Sequence, residues 1–203
     1  MSGAAIEARV ERVAMKLRTA VRGKFRPFGV ECHGFRRRRR LTERQVAAFE
    51  RRFGIKLPPE YRAFLLRVAN GGAGPAYGLY SLTEAITKEP RGRVPDDFLR
   101  TPFPYVDASN PLESGEDEDE EDEEDEGDLY QTAGTLVLCH EGCGILHLLV
   151  VKGRCPGQMW VDDRCNDQGL FPLGVKFLDW YERWLDSTLA GGDGLWWHNN
   201  PEV

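Results

Sequence analysis

Cys139, His140, Cys143 and His147 crowd into one short stretch, and these are the residue types that hold zinc or carry nucleophilic chemistry. Their order, C-H-x2-C-x3-H, lacks the paired CxxC spacing by which tetrahedral sites draw ligands from two converging turns. It also falls on a strand–turn–strand pattern, so no metal site is expected, and no cofactor. His140 and His147 are expected to be structural, because catalysis needs a matched acid, base or nucleophile beside a histidine. His33 and His198 lie in breaker-rich or terminal segments. The five serines stand in no nucleophile motif. The GxSxG, GxxxxGKS/T, HExxH and Rossmann glycine spacings are absent. No catalytic residue is expected, and the chain does not read as an enzyme.

The side chains left for function are charged. Glu116, Asp117, Glu118, Asp119, Glu120, Glu121, Asp122, Glu123, Glu124, Asp125 and Glu126 form an unbroken run of eleven carboxylates among the thirty-three acidic residues. Without those charges the formal net charge of −6 becomes +5, so a mildly basic globule carries a concentrated acidic insert. Blocks of like charge repel themselves and stay solvated, serving as solubilising loops or interaction arms. Read as an arm, the run would be steered toward a cationic partner, and Asp162 and Asp163, after the last expected strand, would add a second anionic contact. Affinity would still need a packed aromatic hot spot. Trp196 and Trp197 are candidates for that, or for docking back onto the domain. Arg36 to Arg40 form the opposite block. They could neutralise phosphates, yet Phe35 is the only adjacent aromatic for base stacking. Direct nucleic-acid binding is not expected, whereas a solvated or internally paired basic segment is.

A chain of 203 residues with 41 % hydrophobic content can bury a substantial core. Its longest strongly apolar stretch, Ile145 to Val151, is far short of the roughly twenty residues that span a bilayer. The N-terminal segment alternates charged and apolar residues and is not a secretory signal. A cytoplasmic protein is expected, with no membrane partner. The five cysteines, an odd number, are expected as buried, reduced thiols.

The elements that must position these groups can be read from periodicity. Ile6, Val10, Val13, Leu17 and Val21 draw one apolar stripe on a helix over Ala4 to Val21. Phe25 to Phe35 reads as a loop. Thr42 and Gln45 have the spacing of a capping box opening a helix to about Phe53, with Val46, Phe49 and Phe53 inward and Gly54 as its C-terminal cap. A second helix begins at Pro58–Pro59, buries Tyr61, Phe64, Leu65 and Val68, and stops at Asn70–Gly71–Gly72. Ala76 to Leu82 is expected as a short strand, Thr83 to Ile86 as a helical turn, and residues 87 to 134 as irregular. Strands over Thr135–Cys139, Ile145–Val151 and Gln158–Val161, joined by short glycine-bearing turns, suit an antiparallel meander. A closing helix from about Lys176 to Leu189 turns Phe177, Trp180, Tyr181, Trp184 and Leu185 inward. The order helices–strands–helix indicates an α+β fold, with helices on one face of a sheet.

Glu50, Ile55, Leu57–Pro58, Tyr61, Phe64–Leu65, Asn70–Gly71–Gly72–Ala73–Gly74–Pro75, Tyr77–Gly78–Leu79 and Leu82 together resemble the helical half of the SMI1/KNR4 family of the SUKH superfamily. Gly142–Cys143–Gly144, Gly157, Trp160 and the Phe177/Trp180/Trp184 helix are similar to its second half. The resemblance covers roughly Leu41 to Leu189. It leaves the arginine block, the acidic run and the 196–203 tail unexplained. It implies one α+β domain on a twisted, mainly antiparallel sheet, and divides the chain into residues 1–40 (N-terminal helix and basic loop), 41–190 (the domain, with its acidic insert at about 113–128) and a 191–203 tail. Bacterial members are commonly immunity proteins that neutralise partner toxins, often nucleases; fungal members act in regulating cell-wall synthesis and signalling. The expected function is thus non-enzymatic binding of a protein partner, a basic toxin domain. The alternative is a regulatory scaffold whose acidic segment docks basic proteins without a cognate toxin. No catalytic residue transfers from the family.

Overall fold

The computed structural model describes residues 2–87, 94–110 and 130–199. The acidic run 116–126 lies outside the described residues. Helix α1 (Gly3–Arg22) starts at Ser2, whose hydroxyl accepts the Ala5 N–H, and buries Val10, Val13 and Leu17. A short α2 (Val30–His33) interrupts the segment expected to be wholly loop. In α3 (Glu43–Phe53) the capping box is complete: Thr42 Oγ1 accepts the Gln45 N–H and Gln45 Oε1 accepts the Thr42 N–H. Val46 and Phe53 are buried, while Phe49 is half-buried against Phe53. Helix α4 (Pro59–Arg67) opens on proline, which lacks the N–H that a first turn would leave unpaired. It ends at Arg67, three residues short of Asn70. Helix α5 (Glu84–Thr87) is a single turn.

Strands β1 (Thr135–Gly142), β2 (Ile145–Val150), β3 (Gln158–Asp163) and β4 (Gly169–Lys176) form one antiparallel sheet in the order β1-β2-β3-β4, and α6 (Phe177–Leu189) follows directly. The fold is α+β, as expected. The fourth strand is a correction to the three expected; it contains Gly169, Pro172 and Gly174, residue types that weaken a strand. Proline is tolerated because β4 is an edge strand: among the described residues its outer side makes only an isolated bridge, Leu170 to Ser109, and Pro172 lies clear of it. Asp162 and Asp163 accordingly end β3 and precede another strand. Ala76 to Leu82 does not form a regular strand. It makes an isolated bridge, Gly72 to Leu79, and lies along the β1 edge through Tyr77 N–H to His140 O (3.3 Å) and Tyr80 N–H to Leu138 O (2.8 Å).

Alternation along the strands divides the side chains between two layers. Leu136, Leu138, Leu149, Met159, Val161, Leu173 and Val175 join the helices in the main core. Phe177, Trp180, Tyr181 and Trp184 of α6 fill its centre, each fully buried, with Phe64 and Tyr61 edge-on to Phe177. Val137, Leu146, Leu148, Val150, Trp160 and Leu170 face the other way, under Phe103. Residues of α1 share the main core, and ion pairs tie the helix to its neighbours: Arg9 to Glu60 (3.0 Å), and Arg12 (2.6 Å) and Lys16 (2.8 Å) to Glu182.

Candidate functional site

The residues of the family-like string fall into two groups. Leu57, Tyr61, Phe64 and Leu65 supply core. Glu50 is buried too, and its Oε1 accepts the Leu57 N–H at 3.0 Å, fixing the entry into α4. The glycine-rich half builds a surface instead. Gly72 (φ 95°) occupies the left-handed region, and a Cβ there would lie 2.3 Å from the Arg36 carbonyl oxygen. Gly78 (φ 95°) similarly sits over His33, with 3.0 Å between its Cβ position and the His33 Cβ. These close approaches draw the arginine segment alongside residues 72–80. Ala73 N–H donates to Arg36 O (2.6 Å) and Arg38 N–H to Gly71 O (3.1 Å). The Tyr181 hydroxyl donates to Ala73 O (2.7 Å), anchoring the loop to α6.

Between the two segments lies a cleft of about 390 Å³, walled by Arg36, Arg37 and Arg38 on one side and Tyr77 and Tyr80 on the other. Arg38 pairs with Glu84 at its edge, and Arg40 donates to the Arg67 carbonyl (3.3 Å). Arg36, Arg37 and Arg39 are exposed and have no ion-pair partner among the described residues. His140 is half-buried between the rings of Tyr77 and Tyr80. His33 is buried below; its Nδ1 accepts the Phe35 N–H at 3.1 Å, while Nε2 has no hydrogen-bond partner among the described residues. Burial pushes the His33 imidazole down to about 4, so the ring is neutral at pH 7.

A second cluster binds the C-terminal segment. A register irregularity between Val137 and Cys139 brings Cys139, and by alternation Glu141, onto the helical face, where the Glu141 carboxylate is buried. Glu141 Oε1 meets His147 Nε2 at 2.5 Å and the Trp197 indole N–H at 2.7 Å, and Oε2 meets His198 Nε2 at 2.9 Å. Burial works against the charged form, yet the His147, His198 and Trp197 contacts hold the Glu141 carboxyl below its ordinary value. Trp197, in the 3-10 helix Trp196–Asn199, is therefore docked back on the domain. Trp196 is half-buried under the Arg183 guanidinium, 4.6 Å from its ring centre.

The remaining candidates are dispersed. Asp162 is buried and paired with Arg164, through two nitrogens at 2.8 Å, and Asp163 is half-buried, accepting from Asn166 Nδ2 at 2.6 Å. Cys139 is the one buried cysteine. Cys32, Cys143, Cys155 and Cys165 are exposed, which corrects the expectation of buried thiols: Cys143 lies in the β1–β2 turn and Cys165 in the 3-10 turn after β3, and such connections run over the surface. All five are free, and no group of three metal-ligating side chains occurs among the described residues.

The family model for the SMI1/KNR4 family (SUKH-1) matches residues 40–184. The chain belongs to the SMI1/KNR4 family. Members of SUKH-1 are typically immunity proteins, generally non-catalytic. No curated protein and no solved structure matches the chain. In this SUKH-1 chain the matched region takes in the glycine-rich loop with the tyrosine wall of the cleft, the sheet and most of α6; the Arg36–Arg38 wall and His33 lie before it, and it stops short of the Trp197 segment. Among the described residues no helix is long and apolar enough to cross a membrane.

Proposed function

We infer that this protein is a non-enzymatic immunity protein, which neutralises a cognate toxin by stoichiometric binding and occlusion of its active surface. Membership of SUKH-1 over residues 40–184 is the observation that carries this reading. The acidic run supports it further. A nuclease that grips phosphates presents a cationic cleft, and eleven contiguous carboxylates accelerate encounter with such a surface. The toxin domain is thus expected to be basic, and Asp163 can add to the anionic face. Asp162 contributes less, because Arg164 already neutralises it. The protein acts in the cytoplasm of the cell it protects.

Co-expression with a toxin encoded beside its gene tests the reading. Restored growth and a complex on gel filtration are expected; neither rescue nor complex would overturn it. The acidic run also favours a scaffold that docks basic proteins with no cognate toxin, and a gene neighbourhood lacking any secreted toxin module would select that alternative.

A further inference from the structure

The cleft beside the arginine segment has the features of a site whose ligand is anionic and extended. Arg36 and Arg37 line it, are exposed, and have no ion-pair partner among the described residues. His33 lines it from below with a buried, unpartnered Nε2. Because Nδ1 accepts the Phe35 N–H, the neutral ring carries its proton on Nε2, leaving a donor that lacks an acceptor. An orphaned buried donor is costly, and a carboxylate oxygen would satisfy it. Tyr77 and Tyr80 provide apolar faces with polar tips, surfaces over which the methylene groups of Glu side chains can lie.

We propose that this cleft binds an extended carboxylate-rich peptide, and that its resident occupant is the chain's own run 116–126. The run has eleven contiguous carboxylates, a charge opposite to that of Arg36 and Arg37. Its geometry of attachment suits the cleft. The chain leaves the described structure after Asn110, whose amide donates to Asp167 O (3.0 Å) in the β3–β4 turn. Cys165 in that connection packs against Gly144 of the β1–β2 turn, and Gly142 of the same turn packs against the Tyr77 hydroxyl. The exit point and the cleft therefore share one end of the sheet. Residues 111–129 number nineteen, and such a chain reaches up to about 60 Å when extended. Nucleic acid is the less suitable occupant, because a polyphosphate would be repelled by the same acidic run and by the net charge of −6. A cationic toxin and the cleft then compete for one anionic segment, although the inference itself requires no toxin.

The experiment uses the full chain without any toxin. In one variant all eleven carboxylates of the run are changed to Gln or Asn. A fluorescent peptide with the sequence of residues 113–128 is titrated at low salt and followed by anisotropy. The neutralised variant should bind it saturably, the wild type at least tenfold more weakly because its cleft is occupied, and both less tightly as salt rises. In the neutralised background, Arg36→Gln with Arg37→Gln should remove binding. Arg39→Gln with Arg44→Gln, an equal loss of charge outside the cleft, should change it by less than threefold. These are all exposed positions, so circular dichroism and melting should match the parent. No saturable binding to the neutralised variant, equal binding to wild type, or equal effects of the two arginine pairs would overturn the proposal. So would tighter binding of a single-stranded oligonucleotide of equal charge.

Discussion

The Glu141 carboxylate accepts the Trp197 indole N–H at 2.7 Å, joining residues fifty-six positions apart and closing the C-terminal segment over the sheet. The same carboxylate holds the fully buried His147. Trp197 therefore belongs to the folded domain, even though the family match ends at residue 184.

Trp197→Ala should destabilise the protein by about 3–5 kcal/mol, the range for removing a buried aromatic side chain. Glu141→Gln should cost about 1–3 kcal/mol, since an amide cannot accept from all three donors as the carboxylate does. Urea unfolding checks both. Near-wild-type midpoints would mean that the tail does not dock.

Phe64→Ala and Trp180→Ala remove side chains with no exposed surface from the helix–sheet core. Each should cost about 3–5 kcal/mol without altering the oligomeric state. An unchanged melting temperature would remove these residues from the core.

His33 makes stability fall as pH drops from about 6.5 toward about 4. The unfolded chain binds the proton near the ordinary value, whereas the buried ring resists it down to about 4. Below that, both states are protonated and the dependence levels off. His33→Phe keeps the ring contacts to Phe35 and Trp184 but leaves the Phe35 N–H without its acceptor. The variant should be less stable at pH 7 and flatter across this window. Melting temperatures between pH 7 and 4, read in the background whose acidic run is changed to Gln and Asn so that no carboxylate of the run meets Nε2, report both effects, and an equally steep profile would refute the assignment.

Glu182 acts in a lower window. The Arg12 guanidinium and the Lys16 ammonium hold its carboxyl down at about 2, so its contribution is complete above the ordinary value near 4.5 and is lost as pH falls toward 2. Arg12 is half exposed, so solvent screening limits the pair to about 1 kcal/mol. Glu182→Gln should flatten acid unfolding below pH 4.5 by that amount. A variant with the wild-type acid midpoint would contradict it.

Deleting residues 116–126 should leave the fold intact and slow association with a basic partner at low ionic strength, with the difference fading as salt rises. Stopped-flow association measures this. An unchanged low-salt rate would remove electrostatic steering from the mechanism.

Local chemistry made much of the fold legible in the sequence. The Thr42/Gln45 box, Pro59 at a helix start, and the aromatic stripe of α6 each act within a single helix, so spacing alone reveals them. β4 was obscured because Pro172 and Gly174 are acceptable only at a sheet edge, and edge position is a tertiary property. The Glu141 cluster was hidden for a similar reason: a bulge in β1 re-aims a carboxylate that simple alternation would not bring to His147. The cleft was half visible, as five arginines and a glycine-rich string. Its assembly depends on Gly72 and Gly78 admitting backbone and ring at close range.

Stoichiometric titration of a cognate toxin's activity with the purified protein tests the mode of action most directly. Activity should fall linearly and vanish at one equivalent, with both proteins recovered chemically intact. Complete inactivation by a small fraction of an equivalent, or a covalently altered toxin, would mean that this chain makes or breaks bonds and would contradict neutralisation by binding.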